Sequence, residues 1–274
     1  MQHGNLKMER LTEYQGAGEG VQENLRASFR ALAAQRASGE VREPPGLEII
    51  SLGVAFQMFN AAFLTGAVED EAALAQLLSQ AAVHFQARGQ AWAFWICEDW
   101  VASKARKRCW RLLEAAGMRL AAEMPGMAAE ALSDPRRPRP WLHYEAVGSE
   151  RTRRDFCAIG SVCFHLPPAW FEEVFDQRLA EREQFACWIG YLEGEPVVTA
   201  ATVAAGDCLG VYNLATAPGY RRRGFAEDAL RFAVERGGEG NGTRRLVLQA
   251  TRGAVRLYER MGYRAVTRFR VYVS

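Results

Sequence analysis

Long apolar runs are missing from this sequence, and so is any marked excess of charge. Nowhere among its 274 residues does an uninterrupted apolar stretch approach the roughly 18 residues needed to cross a bilayer. The opening MQHGNLKMERLTEYQG carries no apolar core of signal-peptide length, so a cytoplasmic protein without a membrane partner is expected. Lys and Arg number 34 against 32 Asp and Glu, a formal charge of +2, which is too small to favour nucleic acid as a partner. Close cysteine pairs are lacking too. The six cysteines form no CxxC and the four histidines are scattered, so no metal spacing appears and the thiols read as reduced and mostly buried.

What is present is an ordinary globular composition, 49% hydrophobic and 24% charged. The length exceeds that of a usual single domain, which favours two compact units over one long one. Ser133-Asp-Pro-Arg-Arg-Pro-Arg-Pro140 gathers three prolines and three arginines, a composition that continues neither a helix nor a central strand. The expected division is therefore a first domain over 1–132, a linker over 133–140 and a second domain over 141–274.

In the second domain an edge-type strand over Trp141–Val147 precedes two short helices, Asp155–His165 and Ala169–Phe175, broken at Pro167-Pro168. Two strands joined at Glu193-Gly194 come next, then a strand over Leu209–Thr216. The next helix has Phe225, Ala229, Leu230 and Ala233 on one face. A buried strand at Arg245–Ala250, a short helix at Ala254–Met261, a left-handed cap at Gly262 and a β-rich end complete a mixed α/β (α+β) unit with a mostly antiparallel sheet flanked by helices.

The first half repeats part of that order, with strand-like Leu47–Phe63, a helix over Glu71–Phe85, an apolar strand at Ala91–Cys97 and a helix over Ser103–Ala116 before Gly117. Met-Phe-Asn60-Ala-Ala parallels Val-Tyr-Asn213-Leu-Ala, and Leu-Leu-Glu114-Ala-Ala-Gly117-Met-Arg parallels Leu-Tyr-Glu259-Arg-Met-Gly262-Tyr-Arg. A tandem of two related domains is the reading.

Arg221-Arg-Arg-Gly224-Phe-Ala226 follows a strand and opens a helix. A diphosphate needs several backbone N–H donors converging on one point, and a helix start supplies them. Gly224 removes a side chain where an anion approaches, Ala226 stays small, and the arginines add charge. With its surroundings, Gly210 to Ala226 followed by Leu246-Val-Leu-Gln-Ala-Thr251 and Leu257-Tyr-Glu-Arg-Met-Gly-Tyr-Arg264, this loop closely resembles the GCN5-related N-acetyltransferase family over about residues 141–274.

The resemblance implies a sheet whose central strands splay to admit the pantetheine arm of acetyl-CoA, the acyl donor. The pantetheine amides would meet the backbone of Leu214, Ala215 and Thr216. The pyrophosphate would lie on the amides of Arg222, Arg223, Gly224, Phe225 and Ala226, with Arg221 at the first motif position. Asn213 could face ligand or core. Tyr258 falls where the family often places an acid for the departing thiolate, the alternative being a core tyrosine. Phe164 and His165 fall where it often shapes the acceptor pocket, although such a histidine is also commonly structural or solvated.

Acyl transfer to an amine also needs a base, and no acidic residue lies within Leu209–Thr216; Asp207 stands only at its edge. In the first half the loop position reads Phe63-Leu-Thr-Gly-Ala-Val-Glu-Asp-Glu71, whose carboxylates repel a phosphate, and Leu113 replaces Tyr258. That half is expected to be a non-catalytic partner domain or an unrelated fold. The expected function is transfer of an acetyl group from acetyl-CoA to a primary amine of a small molecule, peptide or protein. The rival is a non-catalytic acyl-CoA-binding module. Acceptor and oligomeric state are open.

Overall fold

The computed structural model describes residues 2–175, 185–238 and 245–274, with side chains from residue 16 onward. The chain folds into two units. One comprises Met1–Ser28 and Gly126–Val266, the other Phe29–Pro125 and Thr267–Ser274. The chain thus passes between the units after residues 28, 125 and 266, and the proline-arginine segment 133–140 lies inside the first of these units.

The second unit begins with the end of helix α1 (Gln2–Ala33). Its sheet runs through β1 (Glu40–Arg42), β2 (Leu47–Ser51), β3 (Asn60–Leu64), β4 (Ala93–Cys97) and the chain's last strand, β11 (Arg264–Val273). Only β3 and β4 pair in parallel. The expected continuous stretch Leu47–Phe63 is two strands. Gly53 adopts φ +65°, and the buried Asn60 amide accepts the Gly53 N–H and donates to Val54 and Ala91 carbonyls, so the turn's backbone is satisfied without a ladder. Helices α2 (Glu71–Gln86) and α3 (Arg106–Ala115) bury Leu74, Leu78, Phe85, Cys109 and Leu113 against the sheet.

The larger unit has the same plan. From β5 (Arg119–Ala129) its sheet continues through β10 (Arg245–Gln249), β9 (Cys208–Thr216), β8 (Glu195–Ala205), β7 (Phe185–Leu192) and the edge strand β6 (His143–Ala146). Only β9 and β10 are parallel. Glu193 and Gly194, both at positive φ, make the tight β7–β8 turn. A capping box of Ser149 and Thr152 starts α4 (Glu150–Phe164), and α5 (Pro168–Val174) begins on Pro168. Helix α6 (Phe225–Gly238) buries Phe225, Ala229, Leu230 and Ala233, the face expected from sequence, and α7 (Val255–Arg260) comes after β10.

Both units thus read strand, helix, parallel strand, helix. In each, the strand after the last helix joins the other unit's sheet: β5 follows α3 and pairs with β10, while β11 follows α7 and pairs with β4. Helix α1 also packs on β9. The buried Asn24 amide donates to the Val203 carbonyl at 3.0 Å and accepts from the Tyr212 hydroxyl at 2.7 Å. A Cβ on Gly210 would lie 1.9 Å from the Asn24 side-chain oxygen, so only glycine admits the helix this close.

Candidate acyl-CoA site

The β9–β10 ladder stops at the pair Gly210 and Val247, whereas β9 stays paired with β8 as far as Thr216. Within β9, Asn213 sits at φ +48° in a bulge, where two residues oppose Ala200. Its carbonyl accepts the Thr199 hydroxyl at 2.8 Å. The bulge re-aims the last residues of the strand. Leu214 turns toward the cluster of α6 and α7, and Ala215 toward that of α4. The edge of β9 beyond Gly210 is therefore left open to an extended ligand carrying amides.

At the strand's end the Thr216 carbonyl accepts Arg221 Nε–H at 3.1 Å and the Cys163 thiol at 3.2 Å. The Thr216 hydroxyl is buried without a hydrogen-bond partner. A buried, unused hydroxyl beside an unpaired strand edge fits a polar ligand.

Past a single turn at Pro218–Tyr220 the chain takes two left-handed residues separated by one, Arg222 at φ +62° and Gly224 at +89°. Such alternation gathers successive N–H groups into an anion-binding concavity. Arg221 to Gly224 are exposed while Phe225 is buried. A Cβ on Gly224 would meet nothing within 4 Å, so the approach to these amides is clear and glycine serves the backbone angle. The loop residues expected to meet a diphosphate thus lie together at the start of α6, with Ala226 half-buried in its first turn.

Tyr258 is buried in the apolar cluster shared by β9, β10, α6 and α7, and its ring packs edge-on to Tyr263 at 5.8 Å. Burial pushes its phenol up to about 12. The phenol keeps its proton at neutral pH, and among the described residues its hydroxyl has no hydrogen-bond partner. Phe164 and His165 end α4, both exposed. Phe164 lies parallel to Phe171 at 6.1 Å, and His165 is the left-handed C-cap. The Cys163–Thr216 contact brings this end of α4 to the end of β9.

Cys163 and the free Thr216 hydroxyl carried no signal in the sequence. A cysteine on an amphipathic helix and a threonine at a strand end look the same whether or not a loop folds over them. Asp207 stays at the opposite end of β9, where its side chain accepts the Cys208 thiol. Among the described residues no cluster of three His, Cys, Asp or Glu could hold a metal, and no helix is long and apolar enough to cross a membrane. The side chain of His3 lies outside the described residues.

The corresponding place in the smaller unit is shut. After β3, Val68 donates to the Trp100 carbonyl at 2.6 Å and accepts from Ala102 N–H at 2.9 Å. The start of α2 is taken by its own Asp70, which accepts Ala73 N–H, and Glu71 pairs with Arg108. The buried Leu113 stands where the other unit has Tyr258.

Residues 151–263 match the model of the acetyltransferase (GNAT) family, and this part of the chain is a GNAT domain. A GCN5-related N-acetyltransferase from Kribbella flavida is similar in fold over 93% of this chain and 96% of its own, with TM-score 0.70 at 20% identity. A GCN5-related N-acetyltransferase from Sphaerobacter thermophilus is similar over 84% of this chain and 76% of its own, with TM-score 0.56 at 18% identity. A tandem GNAT protein from the clavulanic acid biosynthesis pathway is similar over 93% and 94%, with TM-score 0.53 at 9% identity. No curated protein matches the chain significantly.

Proposed function

We propose that the larger unit transfers an acetyl group from acetyl-CoA to a primary amine, while the smaller unit is non-catalytic. The observation that carries this reading is the continuity of the open β9 edge, Leu214 to Thr216, with the left-handed turns at Arg222 and Gly224. One extended ligand with amides at one end and a diphosphate at the other suits that path.

In this reading the backbone of Leu214, Ala215 and Thr216 aligns the pantetheine arm, and the amides of Arg222 to Ala226 hold the pyrophosphate. Arg221, drawn onto the Thr216 carbonyl, joins the two subsites. The Tyr258 phenol, protonated at working pH, delivers its proton to the departing thiolate. Phe164 and His165 face the acceptor at the end of α4, and Asn213 shapes the bulge. No carboxylate stands on β9 to take the amine's proton, so a water or a backbone carbonyl serves.

The test is release of free CoA thiol from acetyl-CoA with a panel of primary amines, monitored against a no-acceptor control. Turnover with at least one amine is expected. Tight acetyl-CoA binding without turnover across a broad panel would favour the acyl-CoA-binding module instead.

A further inference from the structure

The proline-arginine segment 133–140 is strapped over the first turn of α6. Ser133 N–H donates to the Met261 carbonyl at 2.9 Å, and the Ser133 carbonyl accepts Arg231 at 2.7 Å. Arg139 pairs with Asp228 and with Glu235, and the Tyr144 hydroxyl donates to the other Asp228 oxygen at 2.7 Å. Asp228 is only 3% exposed, so this anchor is fixed.

Between strap and helix lies a cavity of about 110 Å³, next to Gly224 and lined by Arg137, Arg139, Arg223, Arg231, Glu227 and Asp228. Its acids are already spoken for. Asp228 is paired with Arg139, and Glu227 with Arg231 at 2.9 Å. Arg137 and Arg223 have no hydrogen bond or ion pair among the described residues; the Arg223 guanidinium lies over the Tyr220 and Phe225 rings at 5.5 and 5.1 Å. The cavity therefore carries two unmatched positive charges, and a phosphate monoester carries about −1.5 to −2 at neutral pH. Pro135, Pro138 and Pro140 fix the backbone on either side of Arg137, which lowers the ordering cost of presenting it.

We propose that this cup, closed by the 133–140 strap, recognises the 3′-phosphate of coenzyme A and makes the enzyme prefer CoA to its 3′-dephospho form. The proposal rests on the cofactor reading above: with the diphosphate on the backbone amides at Gly224, the remaining phosphate of CoA is the monoester that the cup matches in charge.

Calorimetric titration of the full chain with CoA and with 3′-dephospho-CoA tests it, using wild type and Arg137→Gln. Wild type binds CoA about tenfold tighter, the usual scale of a lost charge-assisted contact. Arg137→Gln loses about tenfold for CoA, keeps its affinity for dephospho-CoA and so erases the preference. Arg137 is exposed, so folding is not at stake. Equal wild-type affinity for both ligands overturns the cup and leaves the cofactor reading standing, as does an Arg137→Gln loss that is equal for both. Binding of neither ligand overturns both.

Discussion

Gly117 and Gly262 occupy the same post in the two units. Each ends a helix in the left-handed region, at φ +85° and +100°. Gly117 N–H donates to the Glu114 carbonyl and Met118 N–H to that of Leu113; Gly262 N–H donates to the Glu259 carbonyl and Tyr263 N–H to that of Tyr258. The shared turn makes Leu113 the positional counterpart of Tyr258. The repeat is thus read in hydrogen bonds as well as in letters, and it sets an apolar Leu113 against the phenol of Tyr258.

The two glycines differ in surroundings, which sets a prediction. At Gly117 a Cβ meets nothing within 4 Å, so Gly117→Ala costs only the left-handed strain, about 1 kcal/mol. At Gly262 a Cβ would also come 2.9 Å from the Ser133 hydroxyl and 3.1 Å from the Ala131 carbonyl. Gly262→Ala therefore costs more, in urea unfolding of the two variants side by side. Equal losses would show that the strap does not press on this turn.

Asn24→Ala removes the amide by which helix α1 bonds both the Val203 carbonyl and the Tyr212 hydroxyl. It leaves the buried Tyr212 hydroxyl without that acceptor, at a cost of about 2 kcal/mol. Thermal denaturation checks it, and a change below about 0.5 kcal/mol would mean that α1 is not integral to the unit.

Much of the local structure at the candidate site was legible because its signals are local. The loop Arg221–Ala226, the strand Leu209–Thr216 and the cap at Gly262 each follow from a few adjacent residues. Helix α1 was not, since Gly4, Gly16, Gly18 and Gly20 dilute its pattern. Strand β5, RLAAEMPGMAA, was hidden by alanine, glutamate and an internal proline, and it forms because β10 offers it a partner. The exchange of β5 and β11 is a pairing between distant segments, so no local pattern marks it. For the same reason a proline-arginine stretch that looks like a linker is tied down by Asp228 and Arg231, residues some 90 positions away.

His84 gives a pH signature in the smaller unit. Burial, then the Arg88 charge, hold it below its ordinary value against the opposing pull of Glu40, with Arg42 adding to the lowering. The folded state thus binds a proton less readily than the unfolded chain. The stabilising contribution is full above about pH 6.5 and is lost as pH falls below it. Melting temperatures from pH 8 to 5 should fall less in His84→Gln than in wild type, and parallel curves would remove His84 from the acid limb.

Tyr258→Phe keeps the ring in its cluster and removes the proton. Acetyl-CoA affinity and melting temperature should stay near wild type, while turnover falls about a hundredfold, the lower end of what positioned acid catalysis supplies. Unchanged turnover would take Tyr258 out of the mechanism. A joint loss of stability and activity would mark it as a packing residue.

The proposed cofactor site depends most directly on a diphosphate lying at Gly224. Gly224→Glu places a carboxylate among the loop amides and forces a side chain onto a backbone at φ +89°. Acetyl-CoA titration of the full chain, with circular dichroism to verify the fold, is the decisive measurement. The expected result is a folded variant whose acetyl-CoA affinity drops beyond detection beside a wild type that binds. A folded Gly224→Glu protein with wild-type affinity would contradict it and place the cofactor elsewhere.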